Sequence, residues 1–162
     1  MDCQSGSAKA MEMLVSRWQK RLWKYACNLT GDNEAAWDIT QESWLSIIKG
    51  LRKLQDPASF KAWAYRITTN KAIDWIKKKS AARKVELDEV QDLQHKDEKD
   101  AGLKELLDKI DMKKRTVLNL YYFEQLSVPE IGIALRIPRG TVKSRLHSAR
   151  KELKELYQKH IE

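Results

Sequence analysis

Apolar residues recur every three or four positions at the start of the chain: Met11, Leu14, Val15, Trp18, Leu22, Tyr25, Ala26 and Leu29. That spacing places them on one face of a helix, and Thr30-Gly31 predicts its end. Asp32 is placed to cap a second helix by accepting its free backbone N–H groups. There Ala36, Ile39, Ser43 and Ile47 form one stripe, with Trp37, Trp44, Ile48 and Leu51 beside it, a pattern that predicts neighbours on two sides. After Gly50, Asp56-Pro57 is a start signal, because Asp caps and Pro has no N–H to leave unpaired at the first helical position. The helix it opens is predicted over 58–79, with Phe60, Trp63, Ala64 and Ile67 inward and Lys71 and Lys77-Lys78-Lys79 making its far end basic.

A second group of helices follows. Leu103, Leu106, Leu107 and Ile110 begin a helical repeat, and Asp111 can cap the next helix, whose buried face is predicted to run through Val117, Leu120 and Tyr121 to Phe123. Ser127-Val128-Pro129-Glu130 is a capping box, in which the Ser hydroxyl and the Glu carboxylate each satisfy a backbone N–H. It opens a short helix with Ile131, Ala134 and Leu135 inward. Arg136-Ile137-Pro138 interrupts the pattern, since the residue before Pro is pushed away from helical ψ. A last helix resumes near Arg139 and continues past Leu146, Ala149, Leu153 and Leu156. Short helix, tight turn and longer basic helix make a helix-turn-helix. The expected fold is all-α, in two small helical domains.

Charge divides the chain in the same way. Residues 1–80 carry 14 basic and 8 acidic side chains, net +6; residues 81–105 carry 5 and 8, net −3; residues 106–162 carry 12 and 7, net +5. Two basic lobes flank an acidic middle without aromatic residues, whose weak apolar set is Val85, Leu87, Val90 and Leu93, and which reads as a linker. At 42% apolar residues the chain can pack a core, and three prolines and six glycines argue against a low-complexity chain. No apolar run approaches the roughly 20 residues that cross a bilayer, and the first ten residues lack a signal-peptide layout, so no membrane insertion and a cytoplasmic location are expected. Cys3 and Cys27 have no second pair for a zinc site, and His147 and His160 are too far apart for a helical metal pair. Neither a metal nor another cofactor is expected.

The candidate chemistry is nucleic-acid recognition. With Val142, Leu146 and Ala149 buried, Arg139, Lys143, Ser144, Arg145, His147 and Ser148 fall on the other sides of the last helix. There Arg and Lys can read guanine N7 and O6, and Ser and Thr141 can reach phosphate or base edges. In the first lobe Trp63, Tyr65, Arg66, Lys71, Trp75 and Lys77 interleave rings with cations, a pattern that holds unstacked bases. A core role serves Trp63 and Trp75 equally well. Asp38, Gln41, Glu42 and Ser46 form a polar stripe, which spacing alone does not distinguish from a solvated face. No paired carboxylates, no nucleophile with its base and no phosphate-cradling Gly loop are present, so no enzyme is expected.

Several segments, in this order, resemble the extracytoplasmic-function sigma factors of bacterial RNA polymerase: residues 36–44, with Asp38, Gln41 and Glu42; residues 60–74, from Phe60 through Trp63, Tyr65, Arg66 and Asn70 to Asp74; Leu126-Ser127 onward to Ile131; and residues 137–147. The resemblance implies that residues 1–80 form sigma region 2, 81–105 the linker and 106–162 region 4. It implies that Asp38, Gln41 and Glu42 dock on the clamp coiled coil of the polymerase's largest subunit. The connection over residues 53–59 matches the loop that receives a base flipped from the minus-ten element. The implied minus-ten set is Asp56, Ser59, Phe60, Trp63, Arg66, Asn70 and Lys71, on a surface that melts DNA and holds the nontemplate strand. Arg139, Thr141, Lys143, Ser144, Arg145 and His147 match the minus-thirty-five reader. The implied partners are RNA polymerase core, promoter DNA and an anti-sigma factor. Three departures stand out: Arg136 where relatives usually have Gly, Gly132 in place of a usual Ala, and Ser148 where many members have Arg.

Two other readings compete. A stand-alone helix-turn-helix repressor would need only the second lobe and would normally dimerise, yet half of the chain lies in the first lobe. A helical adaptor for proteins alone would leave both basic lobes without a role.

Overall fold

The computed structural model describes residues 2–85 and 101–161, and every regular element among them is helical. Helix α1 spans Ala8–Thr30; the Ser7 hydroxyl caps it by accepting the Ala10 N–H at 3.3 Å, and left-handed Gly31 stops it. Helix α2, Asn33–Gly50, is capped by Asp32, whose carboxylate accepts the Ala35 N–H at 3.0 Å. A tight turn, Leu51–Lys53, leads to a second, Pro57–Ser59, which Asp56 opens and which runs directly into α3, Phe60–Val85.

Helix α3 was expected to end near Lys79 and instead continues to Val85. Ala81, Ala82, Arg83 and Lys84 are good helix formers, and no Gly or Pro stops them. Helix α4, Ala101–Asp108, likewise opens inside the segment read as a linker. The acidic residues Glu86, Asp88, Glu89 and Asp92, with Leu87, Val90 and Leu93, lie outside the described residues.

An aromatic cluster holds α1–α3 together. Trp18 meets Phe60 and Tyr65 edge-on, with centroids 5.6 and 6.2 Å apart, and Tyr25 meets Tyr65 at 5.2 Å. Such edge-to-face pairs add about 0.5–1.5 kcal/mol each beyond the area they bury. The Tyr25 hydroxyl bonds Thr69 Oγ1 at 2.7 Å, and burial pushes its phenol pKa upward. The second apolar stripe of α2 is only half buried: Trp44 and Leu51 are inside, whereas Trp37 and Ile48 are 48% and 45% exposed. No third neighbour covers that part of the helix among the described residues.

Beyond α4, Asp111 caps α5, Met112–Leu118. A wide turn over Asn119–Phe123 follows, in which the Glu124 N–H donates to the Asn119 carbonyl five residues back at 3.0 Å. The extra residue per turn rotates the next side chains away from a regular helical phase. Phe123, expected on the buried face, is therefore half exposed, and Glu124 turns inward. Helix α6 is Val128–Leu135, and its capping box is complete: the Ser127 N–H donates to Glu130 Oε2 at 2.7 Å and the Glu130 N–H to Ser127 Oγ at 3.3 Å. Helix α7, Arg139–Ile161, completes the chain.

The two lobes pack on each other through α3 and α6. Across the seam the Tyr65 hydroxyl donates to the Glu124 carboxylate, and Lys61 Nζ donates to the Gln125 carbonyl at 3.3 Å. Arg115 donates to the Leu29 carbonyl at the end of α1, 3.4 Å away, and to Asp108 at 3.0 Å.

Candidate nucleic-acid and polymerase interfaces

In α7 the apolar repeat is turned into core: Val142, Leu146 and Ala149 are buried. Arg139, Lys143, Ser144 and His147 are exposed, and Thr141 and Arg145 are half exposed. All six residues expected to read duplex DNA thus lie outside the core on one helix, and the Ser144 hydroxyl already donates to the Thr141 carbonyl at 3.0 Å. Ser148 is half exposed on the same helix. Arg150 stacks over Tyr121 and Tyr122, 5.4 and 5.6 Å from their centroids, and its Nε donates to the Tyr122 hydroxyl at 2.6 Å. That contact ties α7 to the wide turn.

The turn between α6 and α7 holds two of the departures from the family pattern, of which it explains Gly132 and leaves Arg136 strained. Arg136 takes the left-handed conformation, φ 54 and ψ 47, that Gly adopts without penalty. Behind it the Ile137 N–H donates to the Gly132 carbonyl at 3.1 Å. A Cβ on Gly132 would stand 3.0 Å from the Ile137 carbonyl oxygen, so the missing side chain lets the turn close tightly.

In the first lobe the loop after α2 bounds an open cleft of about 550 Å³, lined by Gly50, Lys53, Leu54, Gln55, Asp56, Ser59 and Trp63. The Asp56 carboxylate accepts from the Ala58 N–H and from the Ser59 hydroxyl, both at 3.0 Å, which sets its orientation at the rim. Gly50 is required by close approach, since a Cβ there would lie 2.8 Å from the Trp63 ring. Phe60 is 3% exposed and packs edge-on to Trp18 and Trp63, so it supports the cleft from within the core. From the cleft, Ser59, Trp63, Arg66 and Asn70 follow at helical spacing along α3. Arg66 is half exposed, Asn70 fully exposed, and Lys71 lies 3.9 Å from Glu42. Trp75 is also half exposed, with Lys79 over its ring at 4.9 Å.

Asp38, Gln41 and Glu42 are all exposed on α2. Spacing puts Trp37, Leu45 and Ile48 on the same side, each exposed by 45% or more. The acidic stripe therefore borders an apolar one, which the sequence reading had assigned partly to the core. Leu45 was not singled out there, although its four-residue spacing from Gln41 was the available signal. Leu54 lies within the connection over 53–59, whereas Gly50 in the cleft was missed as part of its wall, because nothing local marks it as one.

Among the described residues no group of three or more His, Cys, Asp or Glu is placed to hold a metal ion, and no helix is long and apolar enough to cross a membrane. Cys27 is half buried, and burial pushes its thiol up to about 11, so at neutral pH it is a packed thiol without nucleophilic character.

Comparison with known proteins finds relatives for both lobes. A family profile described as Sigma-70 region 2 matches residues 14–82, and one described as Sigma-70, region 4 matches residues 106–155. The ECF RNA polymerase sigma factor SigE of Mycolicibacterium smegmatis is 31% identical over 91% of this chain, which spans 61% of that relative's length. SigL of Mycobacterium tuberculosis is 30% identical over 93% of this chain and 92% of its own. Among solved structures, CnrH in complex with the cytosolic domain of CnrY superposes with a TM-score of 0.77 and 26% identity, over 97% of this chain and 93% of that one. The sigma factor RpoE in complex with the anti-sigma factor NepR, from Bartonella quintana, shares the fold at a TM-score of 0.79 and 18% identity, over 93% and 98%. With both conserved regions in order and a full-length relative at this identity, the chain belongs to the extracytoplasmic-function sigma factors, the sigma-70-family subunits that direct bacterial RNA polymerase to promoters.

Proposed function

We propose that this chain divides promoter recognition between its two lobes and docks on core polymerase through α2. The observation that carries the reading is common to α2, α3 and α7. In each helix one apolar stripe faces the interior, and the polar and charged residues of the motifs (Asp38, Gln41 and Glu42; Arg66, Asn70 and Lys71; Arg139, Thr141, Lys143, Ser144, Arg145 and His147) stand outside the core. As a sigma-70-family initiation factor the chain is not itself an enzyme; polymerisation belongs to the core, and the cytoplasmic location follows from that partner.

Asp38, Gln41 and Glu42 supply charge and hydrogen bonding to the docking face, and Trp37, Leu45 and Ile48 supply apolar area, the mixture that suits a protein interface with a buried centre and a polar rim. The cleft over residues 53–59 takes an unstacked base of the minus-ten element against Trp63, with Asp56 and Ser59 offering polar contacts. Arg66, Asn70 and Lys71 hold the strand that leaves the cleft, as cations and amides beside a ring do in single-strand binders. Phe60 acts from below by keeping Trp63 in place. Arg139, Thr141, Lys143, Ser144, Arg145 and His147 face the major groove of the minus-thirty-five element. We place the domain division at residues 1–80 and 106–162, with the intervening acidic segment as the connection.

The test is the double variant Asp38→Ala with Glu42→Ala. Both side chains are exposed, and Glu42 pairs with Lys71 at 3.9 Å, a surface ion pair worth at most about 1 kcal/mol. Helicity should stay normal while affinity for core polymerase falls and run-off transcription falls with it. Core affinity equal to wild type would remove α2 as the docking face.

A further inference from the structure

The residues in front of α1 are folded onto the loop that shapes the minus-ten cleft. Within the segment the Ser5 hydroxyl donates to the Asp2 carbonyl at 2.7 Å, and the Gly6 and Ser7 N–H groups donate to the Cys3 and Asp2 carbonyls, both at 3.4 Å. Cys3 packs against the hydrophobic core and anchors the segment. Gln4 is thereby held beside the turn after α2, where its Nε2 donates to the Leu51 carbonyl at 3.0 Å and to the Leu54 carbonyl at 2.7 Å.

Those two carbonyls stand at the two ends of the turn Leu51–Lys53 and its cap. The Leu54 N–H closes that turn on the Leu51 carbonyl at 3.2 Å, and one side-chain amide then bridges it a second time from outside. Leu51 is 1% exposed and fixes one end in the core, while Leu54 is part of the cleft wall. Lys53, Leu54, Gln55 and Asp56 follow consecutively, so the direction of that turn sets where the cleft's rim lies. A binding constellation on a loop discriminates only when supporting contacts hold it close to its productive geometry. A loop that must be ordered on binding loses affinity to that ordering.

We propose that Gln4 is a positioning residue for the minus-ten cleft: its amide clamps the two ends of the turn over residues 51–54 and keeps the cleft preorganised for an unstacked base. The proposal rests on the reading of this cleft as the base-receiving site. The chemistry requires an amide. Both contacts are donated by nitrogen to carbonyl oxygen, and a carboxylate of the same shape would face the two carbonyls with oxygen only.

The experiment uses holoenzyme assembled from this chain and bacterial core polymerase. A nontemplate-strand oligonucleotide is selected from a random pool on the wild type, and its affinity is measured intact and with each position in turn made abasic. Gln4→Glu reverses the donors, and Gln4→Met keeps the length and packing without them. Both should lower the preference for base over abasic at the cleft position by roughly three- to tenfold, the range of one net hydrogen bond, with Gln4→Glu the more affected. Affinity for minus-thirty-five duplex and the thermal midpoint should stay at wild-type values, which separates positioning from general destabilisation. An unchanged preference in both variants overturns the role of Gln4 while leaving the cleft reading intact. Absence of a base preference at every position in the wild type overturns the cleft reading, and the proposal with it.

Discussion

Removing a single oxygen from the seam between the lobes should loosen them. Glu124 is only 6% exposed, accepts from the Tyr65 hydroxyl, and is held at its place by the wide turn. Burial raises its carboxyl pKa above the ordinary 4.5, against the lowering effects of the Tyr65 hydrogen bond and of Arg21, Lys61 and Lys24. The same pairing, added to burial, pushes the Tyr65 phenol upward, so it remains a donor at neutral pH. In Tyr65→Phe the carboxylate stays buried without that donor. A hydrogen bond to a charged group contributes about 1.5–3 kcal/mol. At about 1.36 kcal/mol per tenfold, the ratio of closed to open lobes should fall roughly 10- to 150-fold. Glu124→Gln keeps an acceptor for Tyr65 and removes the ionisation, so it should cost less than Tyr65→Phe. The pH dependence has a fixed sign. A carboxyl whose folded pKa is raised contributes most below 4.5, and that contribution is lost as pH rises through its folded value. The seam should therefore weaken from acidic to neutral pH in the wild type, and the slope should flatten in Glu124→Gln. Urea unfolding and the radius of gyration from small-angle scattering measure both effects. Equal midpoints and equal radii for Tyr65→Phe and wild type would refute the reasoning, as would a pH slope that survives Glu124→Gln undiminished.

Arg136→Gly should stabilise the second lobe by about 0.5–1 kcal/mol, because a left-handed non-Gly residue costs about 1–2 kcal/mol and part of the gain is returned through the freer unfolded chain; the urea midpoint should rise with an unchanged slope. Gly50→Ala should displace the Trp63 ring, 2.8 Å from the new Cβ, destabilise by about 1–3 kcal/mol as overpacking does, and weaken nontemplate-strand binding while duplex binding holds; an unshifted tryptophan emission spectrum would count against it. Lys143→Ala and Arg145→Ala should each weaken promoter binding by about 1–3 kcal/mol in a manner that depends on the minus-thirty-five sequence where a base is read, and uniformly, with the salt slope reduced by about one, where phosphate is the partner. Equal transcription from scrambled and native minus-thirty-five elements would exclude α7 as the reader.

What the amino-acid sequence determined by itself is what short-range physics decides. The caps at Asp32, Asp56, Asp111 and Ser127, the stop at Gly31 and the break before Pro138 each involve groups within a few residues of one another, and each is found where its local chemistry puts it. The exposed basic side of α7 was legible for the same reason, since Val142, Leu146 and Ala149 mark one face and leave the basic residues on the others. Periodicity identifies an apolar face, however, without saying what covers it. Trp37 and Ile48 were legible as apolar, and only the packed structure shows that no helix among the described residues comes to them; Phe60, placed among the DNA-facing residues by resemblance, proves to be core. The wide turn at Asn119–Phe123 breaks the 3.6-residue phase that such reasoning assumes, which is why Phe123 leaves its expected buried side and Glu124 turns inward. Long-range features were the least legible. The Tyr65–Glu124 bond spans 59 residues, and the two bonds of Gln4 span 47 and 50. A buried carboxylate or a bridging amide acquires its partner from tertiary packing, because nothing in its own neighbourhood requires one.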